Sequence, residues 1–278
     1  MNDGAVVLRQ SVDPEWVEQL NRVVDFQLEN PSQWANDANP GATTNRLFTD
    51  RYQWQTNDEI RAYLSESGIA GLAAQAMQSS TARFYFDHML VKEPKTTTET
   101  PWHQDAPYWP FLGKKICSIW LALNDVTIEQ SAMEFVRGSH ADGKYYLPEL
   151  FGDREDHPNE WLRDAEGEPV PAIEDHREDY DIIGWDMKAG DAVLFSAWIL
   201  HWAPGNADAD HRRAALSTRW LGDDVVWNPH PGADPTVTQD HVSLAPGDPI
   251  HDDDVFPIVW PREAQTLIQE KKNRPSES

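Results

Sequence analysis

The sequence predicts a mainly β protein with flanking helices, built on a double-stranded β-helix (jelly-roll, cupin-like) core. Three observations predict it: short β-rich segments joined by turns fill the middle of the chain, a helical third precedes them, and a His-x-Asp pair with a later histidine sits where the open mouth of such a barrel would hold a metal. With 278 residues and 40% of them apolar, the chain is long enough for one such unit. We read residues 1–278 as one domain, with helical support over about 11–80, a β core over about 82–222 and a wrapping segment over 223–278.

Gly4 to Arg9 reads as a short strand. A helix then opens with Asp13 at the cap and Pro14 at the first helical position, where the missing proline N–H is harmless. Trp16, Val17, Leu20, Val23, Val24 and Leu28 recur at helical spacing, so one face packs on a sheet. Asn30 to Thr44 is rich in Asn, Pro, Ser and Gly and reads as loop, while Asp58 to Leu64 and Ile69 to Met77 read as two short helices. From Ala82 the character turns to strands. Alternation along Arg83 to Val91 places Phe84, Phe86, His88 and Leu90 on one face. His88 on that apolar face has two readings of equal weight, a core histidine satisfied by one hydrogen bond or a contact to a bound small molecule.

Ile116 to Val126 is the next strand, and Met133 to Val136 follows, closed by Arg137-Gly138-Ser139-His140. Residues 141–181 form a long acidic, proline-containing insertion, read as a lid or an ordered excursion over a binding face, with most of its charges as solvated surface. Met187 to Asp191 is a turn, Ala192 to Phe195 a strand, Ile199 to Trp202 another, and Arg212 to Trp220 a last one with clear alternation. From Gly222 the chain is dominated by Asp, Pro, His and Gly; it is expected to wrap the core and end in a short helix near residues 263–271.

Charge and composition exclude several roles. Forty-seven acidic against 23 basic residues give a net charge of -24, which repels nucleic acid and anionic membrane surfaces. No apolar run approaches a membrane span, and Met1-Asn2-Asp3-Gly4 lacks the basic start of a signal peptide, so a cytoplasmic protein is expected. Its one cysteine, Cys117, permits neither an internal disulfide nor a cysteine-based zinc cluster and reads as a small buried filler. Nothing in the pattern specifies an oligomeric state.

The chemistry centres on Thr100 to Trp109. In an extended segment His103 and Asp105 point the same way and can grip one ion while Gln104 faces away. An imidazole and a carboxylate are two thirds of the 2-His-1-carboxylate triad that holds non-haem iron and leaves positions open. The plainer alternative is a buried histidine hydrogen-bonded to an aspartate. His201, carried by an apolar strand, is the natural third ligand; most of the other nine of the ten histidines sit in polar, acidic surroundings.

Several motifs then line up in order: W-H-Q-D at Trp102 to Asp105, the Trp120 strand, R-G-S-H at Arg137 to His140, G-D at Gly190 and Asp191, and His201 followed by Asn206 and an arginine about a dozen positions on. Over roughly residues 82–222 they resemble the phytanoyl-CoA dioxygenase family of Fe(II)- and 2-oxoglutarate-dependent oxygenases. That resemblance implies Fe(II), 2-oxoglutarate and O2 as cofactor and cosubstrates, and hydroxylation of a small organic molecule with release of succinate and CO2. It places the iron ligands on His103, Asp105 and His201, and the arginine for the distal carboxylate of 2-oxoglutarate on Arg213 or Arg212. Counting back four from Ser217, and the shared face of Arg213, Ala215, Ser217 and Arg219, favour Arg213. Trp120 matches a tryptophan lining the cosubstrate pocket, with plain core as its other reading. Halogenating relatives lack the carboxylate, so Asp105 points to hydroxylation or desaturation.

Two departures from the family pattern stand out. Ala203 replaces a serine that can help hold the distal carboxylate, and Glu129-Gln130-Ser131-Ala132 replaces a turn that often carries Asn-Gly, which we read as a change in a loop rather than in the chemistry. For the substrate, an acyl-CoA is disfavoured because basic clusters are sparse, Lys114-Lys115 being typical. Tyr108 and Trp109 beside the metal pair, with His88, are the candidate substrate contacts. Trp198 and Trp202 flank His201, and aromatic walls in an acidic protein would suit a small cationic or zwitterionic amine, unless these rings are core. The rival readings are a non-catalytic cupin-like module binding a metal or other ligand and a metal-dependent hydrolase.

Overall fold

The computed structural model describes residues 2–148, 162 and 164–267. In chain order these form β1 (Ala5–Leu8), α1 (Pro14–Glu29), β2 (Asn36–Ala38), β3 (Leu47–Arg51), α2 (Asp58–Glu66), α3 (Ile69–Met77), β4 (Ala82–Lys92), β5 (Thr100–His103), β6 (Phe111–Leu112) and β7 (Ile116–Ala122). There follow β8 (Glu134–Val136), β9 (Ile182–Gly184), β10 (Ala192–Ser196), β11 (His201–Ala203), β12 (Arg213–Leu221), β13 (Val226–Trp227) and β14 (Ile258–Trp260). No helix among the described residues is long and apolar enough to cross a membrane.

Two antiparallel sheets make a jelly-roll. The larger runs β1-β10-β7-β12-β4-β3-β2, with β14 added to β4, and the smaller runs β5-β11-β8-β9. Alternation in the central strands explains why the larger sheet is buried on both faces. Ile119 and Leu121 of β7, Leu194 of β10, and Ala214, Leu216 and Trp220 of β12 point outward to a core shared with the helices. Trp120, Ala122, Val193, Phe195 and Ala215 point inward, towards Phe135 and Ala203 of the smaller sheet. Cys117 belongs to the outer core and is fully buried.

The helices begin where their caps allow. Asp13 occupies the N-cap of α1 with Pro14 next, although its side chain makes no capping hydrogen bond. Asn57 does cap α2, accepting from the amides of Glu59 and Ile60. Leu20, Val23 and Val24 form the buried stripe of α1. The turn before β10 needs its glycine: Gly190 has φ +92°, and Asp191 beyond it accepts from the amides of Gln10 and Lys188, tying the turn to the end of β1.

Two expectations are revised, and two others fall partly outside the described residues. The segment read as loop contains β2, and β3, absent from the sequence reading, pairs with β4. Phe84 does not share a face with Phe86: Thr218 pairs with Asp87 but Trp220 pairs with Phe84, so Tyr85 and Phe86 together oppose Arg219. This β-bulge turns Phe84 out to the helices and leaves Phe86 inside. The flanks of the long insertion, through Tyr146, Val170 and Ile173, pack on the outer face of the smaller sheet around Trp102, Val136, Leu200 and Trp202; residues 149–161 and 163, part of the lid reading, lie outside the described residues. Trp227, Ile250 and Phe256 of the C-terminal segment are buried in a cluster with Tyr85 and Phe111; where a terminal helix was expected the described residues hold a single 3-10 turn at Arg262–Ala264, and residues 268–271 lie outside them.

Candidate active site

His103 ends β5, and the chain turns at once into a 3-10 turn over Ala106–Tyr108, so Asp105 is already helical (φ -72°, ψ -42°) rather than two places along a strand. The turn still brings Asp105 Oδ1 to 3.7 Å from His103 Nε2. β11 pairs with β5 so that His201 lies opposite His103, with ring centroids 4.0 Å apart. His201 Nε2 is 3.9 Å from the same Asp105 oxygen. One ligand atom from each of the three buried residues lies within 4.8 Å of the others, which suits them to holding a single ion.

The surroundings aim these atoms. His103 Nδ1 meets the Pro101 carbonyl at 2.7 Å and His201 Nδ1 the Ile199 carbonyl at 3.0 Å, which places the ring proton on Nδ1 and leaves both Nε2 lone pairs facing inward. Ser118 Oγ donates to Asp105 Oδ2 at 2.7 Å and leaves Oδ1 for an ion. Gln104 faces away, as expected, and clamps the turn: its amide donates to the carbonyls of Lys144 and Trp198 and accepts from the Tyr146 amide. Burial alone would raise the Asp105 carboxyl, but its other surroundings, the Arg219 guanidinium foremost, outweigh it and hold the group well below the usual carboxylate range. Burial, with His103 alongside, pushes His201 down to about 3, so it presents a neutral imidazole.

These three groups open on a cavity of about 670 Å³ between the sheets, of a size for a small organic ligand. Arg213 lies in its wall, 4% exposed, with its guanidinium 5.3 Å from the Trp120 ring. Its Nε donates to Ser131 Oγ at 3.1 Å, its Nη1 is buried with no partner, and it forms no ion pair with any described carboxylate. Burial lowers it to about 10, which leaves it cationic at neutral pH. Arg212, the other candidate, lies on the outer side of β12, where alternation sends it: it pairs with Asp25 at 2.6 Å and Glu93 at 3.1 Å and does not line the cavity.

His88, Tyr108, Trp109 and Trp120 all line the cavity. Trp198 does not; its indole N–H donates to the Gly113 carbonyl. Trp202 also borders the cavity, while its ring stacks on Trp102 at 6.0 Å in the cluster on the outer face of the smaller sheet. Sequence reasoning passed over Ser118 and the cavity-lining ion pair of Arg51 with Asp234; it placed Arg219 on the inward face of its strand and Ser131 in a turn but gave neither a role. Ser118 had a signal, since it precedes Trp120 by two on an inward face. Ser131 corrects a reading: the turn judged to matter only as a loop supplies a fully buried hydroxyl to the cavity arginine.

Residues 1–214 match the profile of the phytanoyl-CoA dioxygenase (PhyH) family. Over 231 residues the chain is 22% identical to the dioxygenase hkm4 of Aspergillus hancockii, covering 77% of this chain and 67% of that protein. Over 142 residues it is 28% identical to a probable phytanoyl-CoA dioxygenase of Caenorhabditis elegans, spanning 49% of this chain and only 42% of the nematode protein. Among solved structures, the epimerase SnoN in complex with Fe3+, alpha ketoglutarate and nogalamycin RO is similar, with a TM-score of 0.68, 25% identity, and coverage of 93% of this chain and 94% of that one. With a family profile running from residue 1 through Arg213 and over all three metal-facing residues, the chain belongs to the phytanoyl-CoA dioxygenase family.

Proposed function

We propose that this protein is an Fe(II)- and 2-oxoglutarate-dependent oxygenase that hydroxylates a small organic molecule, with release of succinate and CO2. The observation that carries the reading is Arg213: a buried guanidinium without a carboxylate partner among the described residues, in the same cavity as two inward-facing imidazole nitrogens and the Asp105 oxygen between them. Burying an unpaired charge is costly, and a module that merely held a metal would have no use for it. A hydrolase would leave it equally unexplained.

In this reading His103, Asp105 and His201 hold the iron, and Ser118 with the Pro101 and Ile199 carbonyls keeps the ligands oriented. The bound iron, with 2-oxoglutarate and dioxygen, supplies the oxidising chemistry. Arg213, its Nε held by Ser131, offers its remaining N–H groups to the distal carboxylate of 2-oxoglutarate, for which a planar fork is suited. Trp120 forms a wall of that site. Tyr108, Trp109 and His88 line the remaining space, where the substrate sits away from water. The carboxylate of Asp105 supports hydroxylation over halogenation. The test is oxygen-dependent conversion of 2-oxoglutarate to succinate by anaerobically purified protein given Fe(II), beside Asp105→Ala and Arg213→Ala. Turnover lost in both variants supports the reading. No turnover, together with no 2-oxoglutarate-dependent absorption band on the iron complex, overturns it in favour of a metal-binding module.

A further inference from the structure

A second guanidinium stands in the cavity wall beside the metal-facing residues. Arg219 lies on the inward face of β12, six residues beyond Arg213, and is 6% exposed. Its Nε and Nη1 are buried without a hydrogen-bond partner, and among the described residues it forms no ion pair. The β-bulge in β4 sets it against two aromatic rings, with its guanidinium carbon 5.1 Å from the centre of Phe86 and 5.9 Å from that of Trp109. Two neighbours face the same space: the hydroxyl of Ser217 is buried with no partner among the described residues, and His88, opposite Ser217 across the strands, lines the same wall.

The other charges in the cavity are already engaged. Asp105 accepts from Ser118 and faces the two histidines, and it attracts Arg219 across the cavity without a hydrogen bond or ion pair to it; Asp234 is taken by Arg51, and Glu99 is exposed. Arg213 is assigned to the cosubstrate. What remains is a buried cation with unfilled donors, whose guanidinium lies over Phe86 and over Trp109, one of the rings a cationic amine was expected to use. That favours an anion over the cationic substrate expected from the sequence.

We propose that Arg219, with Ser217 and His88 beside it, forms the subsite that receives a carboxylate of the prime substrate, so that the enzyme selects organic acids over neutral or cationic molecules of the same shape. The inference rests on the oxygenase reading, because it assumes that 2-oxoglutarate occupies Arg213. A guanidinium can grip a carboxylate through two parallel N–H groups, and the hydroxyl and imidazole supply further donors without adding negative charge. Arg219 acts on substrate choice and needs no part in the chemical step.

The test uses the intact protein, anaerobic, loaded with Fe(II) and 2-oxoglutarate, and three probes: 3-phenylpropanoate, its methyl ester and (3-phenylpropyl)trimethylammonium. Binding is read by calorimetry and by perturbation of the iron–2-oxoglutarate absorption band. The acid should bind about tenfold or more tightly than either of the others, and Arg219→Gln should level acid with ester while Arg219→Lys keeps part of the preference. Equal binding of all three probes, a preference for the ammonium, or an unchanged preference in Arg219→Gln overturns the inference. So does acid binding that weakens as 2-oxoglutarate is raised, because the oxyanion received would then be the cosubstrate's own. The wild-type series decides the matter even if a variant fails to fold. A missing absorption band in the wild type marks failure of the oxygenase reading itself and takes this inference with it.

Discussion

Ser131 Oγ accepts the Nε–H of Arg213 at 3.1 Å, across 82 residues of chain. The contact fixes the guanidinium plane in a site where no carboxylate does so. The hydroxyl comes from the turn before β8, is fully buried and acts on the arginine, whereas position 203 on β11 carries an alanine.

Ser131→Ala should therefore weaken 2-oxoglutarate more than it slows turnover. Leaving a buried charged donor unpaired costs about 1–3 kcal/mol, so the KM for 2-oxoglutarate should rise about tenfold with kcat nearly unchanged. Steady-state succinate release against 2-oxoglutarate concentration checks this; an unchanged KM would mean that Arg213 holds its position without the serine.

Ser118→Ala should loosen the metal. Asp105 Oδ2 would lose its donor, and the carboxylate could swing away from the two imidazoles. Removing such an outer partner lowers metal affinity by about 10–100-fold. Anaerobic competition with a chelator of known Fe(II) affinity measures it, and an affinity equal to the wild type would show that burial alone orients Asp105.

Asp87 should give the fold a pH dependence unrelated to the chemistry. Burial pushes its carboxyl up to about 6, against the pull of the Trp54 and Gln53 amides that donate to it. Because the folded value exceeds the unfolded one near 3.9, the folded state holds the extra proton between about pH 4 and pH 6. The contribution is complete below pH 4 and is lost as pH rises through 6, a change of about 3 kcal/mol. Denaturant titrations across this range should show a falling midpoint that is flatter in Asp87→Asn; parallel slopes for the two proteins would refute the assignment.

What the sequence disclosed was whatever depends on neighbours along the chain. His103 and Asp105 were legible as a pair because they are close in sequence, although a tight turn and not strand alternation brings them together, and the inward face of β12 was legible because alternation holds from Arg213 to Ser217. The side of Phe84 was not, because one extra residue in β4 resets the alternation, and the bulge exists only in relation to β12. The roles of Ser131 and Asp234 were hidden for the same reason. Each acts on a residue far off in sequence, and a serine or an aspartate in a polar turn is ordinarily just solvated. β3 carries Asp50 and Arg51, charges that disguise a strand until Ser32 and Gln53 bind the first and Asp234 the second.

Arg213, Ser217 and Arg219 all line the cavity from the inward face of a single buried strand, β12. Under the proposed function, the group that grips the cosubstrate and the groups that meet the substrate share one stretch of backbone, pinned on both sides by β4 and β7. A shift of that strand made to admit a different molecule would be felt at once by the hold on 2-oxoglutarate.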